Sequence, residues 1–254
     1  PDFVAKAKGL SPLARALLMG EMDPADCPAD ELLHALGRGS DTLTRQAMHK
    51  SFDVMRVPGA LSAEACERLR AAVDHERCTA ADSVDGLPEH QLRLSRERLE
   101  QLVGAEACAR LLQLPVEYVH AENAHLDPGG SPVDDAMAAR FSRLEECFIR
   151  RYSADTRPWN NFHQDRARIT VNVAVSSDDG HGGGRLLGVY AGRVHPLERS
   201  EGDATVHSSD LFHGVTRMTR GERYSLIMFF DPDGVEEMFH ARIAGVRNRN
   251  VRRF

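Results

Sequence analysis

The chain has 254 residues, 42% of them apolar and 28% charged, which suits one or two ordinary domains with a substantial core. A formal net charge of −6 gives no reason to expect a nucleic-acid binder. The five cysteines, odd in number and scattered, fit neither a disulfide framework nor a CxxC zinc site. The longest apolar run, Leu226 to Phe230, is far short of the about 20 residues a membrane helix needs. The first residues lack a basic-then-apolar leader pattern, so the expected location is cytoplasmic or another soluble compartment.

In chain order, the first half reads as helical. Ser11 and Pro12 form an N-cap and first-turn pair opening an apolar stretch to Met19. A second helix covers Glu31 to Leu36 and stops at Gly37. Phe52 to Val57 alternates and ends at Pro58, as a strand does. Ser62 caps a helix with Cys66, Leu69 and Val73 on one face. Ser95 begins another helical region, interrupted at Gly104 and expected to end before Pro115. Residues 126–135 carry turn chemistry throughout.

From about residue 145 the pattern becomes β. Short strands are expected at Cys147–Tyr152, Ile169–Val175, Arg185–Tyr190, Ala204–Val206 and Tyr224–Phe230, separated by Gly-rich turns. The organisation is therefore a helical extension over 1–50 and a mainly β domain over 51–254, with its core at 145–231. The arginine-rich tail over 241–254 reads as a solvated terminus.

Twelve histidines invite a search for metal ligands. His163 and Asp165 form a His-x-Asp triplet beside a β-like run, where residues i and i+2 face the same way. About one such triplet arises by chance at this composition. The chain has two, the other being His125-Leu126-Asp127 in turn-rich sequence, and that one reads as a bend. Two histidines and a carboxylate on one face of a metal leave its other positions open to substrates. His213 follows His163 by 50 residues, Arg223 follows His213 by ten, and Ser225 shares a strand face with Arg223. A buried arginine needs an anionic partner, and a guanidinium with a neighbouring hydroxyl suits a carboxylate.

These residues resemble the Fe(II)/2-oxoglutarate-dependent dioxygenases, most closely their prolyl-4-hydroxylase-like branch. The similar stretch runs from about Glu146 to Phe230, one third of the chain, and includes Arg168 to Val175 followed by the Gly183-Gly184 turn. The resemblance implies an α+β fold with a mainly β core, a double-stranded β-helix of the jelly-roll, cupin-like kind, flanked by helices. It implies Fe(II) held by His163, Asp165 and His213, with O2 as oxidant and ascorbate as a candidate reductant. The far carboxylate of 2-oxoglutarate would meet Arg223, assisted by Ser225 and Tyr152, while Asn172 and Leu186 would line the same pocket. The reaction implied is hydroxylation of an unactivated C–H bond, with conversion of 2-oxoglutarate to succinate and CO2. Many prolyl hydroxylases carry lysine where Arg223 stands, so two substrates compete: peptidyl proline and a small molecule such as an amino acid or natural-product intermediate. No nucleic acid or membrane is an expected partner.

Other readings remain. Trp159 is a candidate substrate contact, with loop packing as its equal rival, and Arg151 and Arg168 are candidates for an anionic substrate group, with a solvated strand edge the stronger reading for both. His207 with Arg217 repeats the ten-residue spacing and defines a rival register. Against it, Arg217 lies in a polar turn, and relatives place an aromatic core residue at the position of His207. A catalytically silent β-helix that serves as a binding module is the alternative from another class. A zinc hydrolase using the same three ligands would leave Arg223 and Ser225 without a job.

Overall fold

The computed structural model describes residues 10–36, 54–77, 79–81, 86–126, 134, 136, 139–209 and 211–230. Helix α1 (Pro12–Met19) starts where Ser11 Oγ accepts the Ala14 N–H, and ends at Gly20 in the left-handed conformation. Helix α2 (Ala29–Ala35) follows, then strand β1 (Val54–Val57) and helix α3 (Ala63–Glu76), capped by Ser62. Strand β2 (Gln91–Arg93), helix α4 (Arg96–Val103) and helix α5 (Ala105–Leu126) complete the first half. Phe52 and Asp53 of the expected first strand lie outside the described residues, as do most of 126–135 and the tail from 231.

Helix α5 corrects the expectation of an end before Pro115, because it runs through that proline to Leu126. A proline inside a helix costs about 3 kcal/mol. Here Leu114, Val116, Tyr118 and Val119 are all buried in the main core, and the Tyr118 hydroxyl accepts the Ser208 N–H at 3.2 Å. Burial on that scale outweighs the local penalty.

The second half supplies strands β3 (Leu144–Ser153), β4 (Asn160–His163), β5 (Ile169–Ala174), β6 (Leu186–Tyr190), β7 (Arg193–Pro196), β8 (Ala204–Ser208), β9 (Phe212–Val215) and β10 (Glu222–Phe230). They form two antiparallel sheets, ordered β1-β8-β5-β10-β3-β2 and β4-β9-β6-β7. The larger sheet has two buried faces. Ile149, Val171, Val173, Val206, Leu226 and Met228 alternate onto the outer face and pack with α3, α4 and α5 in one core. The intervening positions, among them Arg150, Tyr152, Asn172, Arg223 and Ser225, face the smaller sheet.

That smaller sheet has its own cover. Leu187, Val189, Val194, Phe162 and Phe212 share a core with Leu17, Leu18, Leu32 and Leu33 of the first two helices. Gly214 belongs to this contact, since a side chain there would come within 3.3 Å of Leu18 Cδ2. The four described cysteines, Cys27, Cys66, Cys108 and Cys147, are buried thiols, as small core residues are expected to be. No described helix is long and apolar enough to cross a membrane.

Candidate functional site

Strand pairing explains how residues 50 apart come together. His163 on β4 and His213 on β9 are direct cross-strand partners, and their rings lie 4.3 Å apart between centroids. Asp165 follows just beyond the end of β4. Its Oδ1 stands 3.6 Å from Nε2 of both histidines. One ligand atom from each of the three residues falls within 4.8 Å of the others. Each imidazole is fixed through its other nitrogen: Nδ1 of His163 meets the Asn161 carbonyl at 2.7 Å, and Nδ1 of His213 meets the Leu211 carbonyl at 3.1 Å. With Nδ1 as the donor, Nε2 is left as a neutral ligand. Thr170, on the opposite sheet, donates to Asp165 Oδ2 at 2.6 Å and orients the carboxylate.

Electrostatics prepare these groups to bind a cation. Burial, reinforced by the His213 ring, pushes His163 down to about 4. Burial works to raise the Asp165 carboxyl, but the His213, His163 and His207 charges and the Thr170 hydrogen bond together bring it below its ordinary value. Two neutral imidazoles and one carboxylate are the donor set of a divalent transition metal with open coordination positions.

The triad opens into a cavity of about 700 Å³ between the sheets. Deep in it lies Arg223, the cross-strand partner of Tyr152, 1% exposed, with its guanidinium carbon 4.9 Å from the Tyr152 ring centroid. None of its three guanidinium nitrogens makes a hydrogen bond, and neither does the buried Ser225 hydroxyl two residues on. Burial tends to raise the Tyr152 hydroxyl, yet the charges of Arg150, Arg157 and Arg223 lower it below the usual tyrosine value. A buried cation and hydroxyl left open in this way suit a carboxylate entering from the cavity.

Asn172 and Leu186 line the same cavity. Two other candidates, Trp159 and Arg168, lie away from the described cavity wall. Trp159, 2% exposed, packs in the core under α1 and α2, and the Pro158 carbonyl before it accepts the Met218 N–H. Arg168 stands where β5 begins, its backbone bonded to Phe230 and Ser209, and is absent from the described cavity wall. Arg166 and Arg150 line the wall instead.

Arg150 was not among the residues singled out in the sequence. Strand periodicity held the signal, since Arg150 shares a face with Tyr152 whereas Arg151 points outward to Glu222 and Asp74. Arg150 is held by its cross-strand neighbour Gln91, whose Oε1 accepts from Nη2 at 2.8 Å.

The rival register also separates. Arg217 is exposed, with its N–H bonded to the Leu18 carbonyl. His207 is buried, its ring 5.2 Å from that of His213, but it lies outside the three-ligand cluster.

No protein-family model matches the chain, and no curated protein matches it. Solved structures do. A prolyl-4-hydroxylase from Pseudomonas putida aligns at 22% identity and a TM-score of 0.50, over 72% of this chain and 95% of that one. A prolyl hydroxylase from Trichoplax adhaerens, in complex with a hypoxia inducible factor peptide fragment, aligns at 12% identity and a TM-score of 0.51, over 77% and 92%. HygX from Streptomyces hygroscopicus, with nickel and 2-oxoglutarate bound, aligns at 14% identity and a TM-score of 0.47, over 77% and 89%. By fold, the chain stands with the double-stranded β-helix proteins of the prolyl-4-hydroxylase kind.

Proposed function

We propose that this protein is an Fe(II)- and 2-oxoglutarate-dependent oxygenase that hydroxylates an unactivated C–H bond. One observation carries the reading: a His163, Asp165, His213 cluster and the unpartnered, buried Arg223 guanidinium lie in the wall of a single cavity. A zinc hydrolase would use the first and have no use for the second. His163, Asp165 and His213 would hold the iron, which when bound supplies dioxygen activation coupled to decarboxylation of the 2-oxo acid.

The chain's own residues do the rest. Thr170 orients the Asp165 carboxylate, and the two backbone carbonyls orient the imidazoles. Arg223, Ser225 and Tyr152 receive the far carboxylate of 2-oxoglutarate, and Leu186 closes the apolar side of its methylene chain. The sheets exclude bulk water from this end of the cavity, which strengthens each of these contacts.

Support for a peptidyl prolyl substrate comes from the prolyl hydroxylases whose fold the chain shares. Support for a small molecule comes from the size of the cavity, which lies within the range of drug-sized ligands.

The test is succinate formation from 2-oxoglutarate under air with added Fe(II), first without any substrate and then with prolyl peptides and small-molecule panels. Succinate that requires both iron and the 2-oxo acid supports the reading, even uncoupled from substrate. Absence of turnover together with absence of metal-dependent 2-oxoglutarate binding would overturn it in favour of a silent binding module.

A further inference from the structure

We propose that Arg199 is a second cation of the distal-carboxylate pocket, so that this protein selects a 2-oxo acid bearing a second carboxylate with two buried guanidinium groups. The inference rests on the 2-oxoglutarate reading above and adds a specificity-determining residue to it.

Arg199 lies between β7 and β8, outside any strand, and is 6% exposed. Its backbone is fixed on both sides by Asp178, whose Oδ2 accepts the Arg199 N–H at 3.1 Å and whose N–H meets the Arg199 carbonyl at 3.2 Å. The side chain reaches the inner face of the large sheet, where Nη1 donates to Asn172 Oδ1 at 2.7 Å. That contact occupies the Asn172 oxygen and leaves its amide N–H groups toward the cavity that Asn172 lines. Asn172 and Ala174 are successive inner positions of β5, and Ala174 is the cross-strand partner of Ser225.

Nε and Nη2 of Arg199 make no hydrogen bond, and the same holds for every guanidinium nitrogen of Arg223. The two charges act on each other: burial, followed by the Arg223 charge, pushes Arg199 down to about 9, against the opposing pull of Asp178, Tyr152 and Asp203. Two buried like charges with open donors are costly unless an anion lies between them. One carboxylate has two oxygens and can accept a fork from each guanidinium. A 2-oxo acid without the second carboxylate would leave both forks unsatisfied.

The test is calorimetric titration of the Mn(II)-loaded protein, without oxygen, with 2-oxoglutarate and with 2-oxopentanoate. The second acid has the same carbon chain and no distal carboxylate. Arg199→Gln is expected to weaken 2-oxoglutarate by about tenfold or more, the scale of a charge-assisted hydrogen bond, and to leave 2-oxopentanoate unchanged. Arg199→Lys, which keeps the charge and loses the fork, is expected to lose less, and it stands in if the glutamine variant fails to fold. Equal losses on both acids would mean that Arg199 only shapes the pocket, and undiminished 2-oxoglutarate binding would mean that it does not touch the ligand. Either result overturns the inference and leaves the oxygenase reading standing. Failure of the unaltered protein to bind 2-oxoglutarate overturns both.

Discussion

Thr170 carries more of the proposed metal site than its size suggests. It reaches across from the opposite sheet to hold Asp165, so its hydroxyl ties the two layers together at the ligand cluster. Thr170→Val keeps the shape and removes the donor, and Mn(II) affinity is expected to fall by about 10- to 100-fold with little change in melting temperature. Equilibrium metal titration measures this; unchanged affinity would remove Thr170 from the site. The buried histidines set the pH response of the metal-free protein. His163 and His207 are both pushed down to about 4, each by burial and then by His213. An unfolded histidine titrates near 6.5. Between those values the unfolded chain binds more protons, so stability falls as pH falls through that window. The lowered Asp165 acts with the same sign at still lower pH. Melting temperatures measured from pH 7 to pH 4 should decline steadily below about 6.5, and His207→Gln should soften the decline; a flat profile would contradict it. At this scale much was legible in sequence. The triplet, the distal histidine and Arg223 with Ser225 were singled out as a set, by their spacing together with the family resemblance. Arg199 did not, because it sits in an irregular segment whose partner Asn172 is 27 residues away, and no periodicity links the two.

The turn at Gly183 and Gly184 is the element on which the Arg223 end of the cavity rests. Gly183 has φ of +66°, and a Cβ there would stand 1.8 Å from the Arg217 carbonyl oxygen. A Cβ on Gly184 would meet Met218 Sδ at 2.2 Å and the Arg223 side chain at 3.2 Å. The close approach lets the Gly184 N–H bond the Arg217 carbonyl, locking the β9–β10 connection beside Arg223. Gly183→Ala is therefore expected to destabilise the protein by more than about 1 kcal/mol, since backbone must move as well as change conformation. Thermal unfolding checks this, and a neutral result would show the connection to be loose. The strands on either side were readable from alternation and turn residues. Strands β4, β7 and β9 were not, because four residues are too few to show a period, and β9 carries a glycine in the middle. The length of α5 was misjudged for the opposite reason: a strong local signal, Pro115, yielded to tertiary packing.

Among the described residues, each sheet buries its outer face under helices, and the candidate site residues occupy the inner space between the sheets. The density of short strands marked a mainly β domain and the family resemblance implied a jelly roll, whereas the cover supplied by α1 and α2 to the smaller sheet was not predictable from their sequence. Their apolar faces showed that they bury something, not what. Leu18 is fully buried in that contact, and Leu18→Ala should cost about 2–5 kcal/mol by chemical denaturation. A much smaller value would mean that the helices are only loosely laid on. The packing of Trp159 beneath these helices also makes it an optical reporter. It is the only tryptophan in the chain, and it immediately precedes the strand that carries His163. Its emission in the native protein should be that of an indole shielded from water, and loosening of the N-terminal helices should shift it to the red. In a denaturant series, a fluorescence change preceding the loss of circular dichroism would mean that this layer detaches before the sheets separate. Coincident curves would mean that the helices and the sheets melt as one cooperative unit.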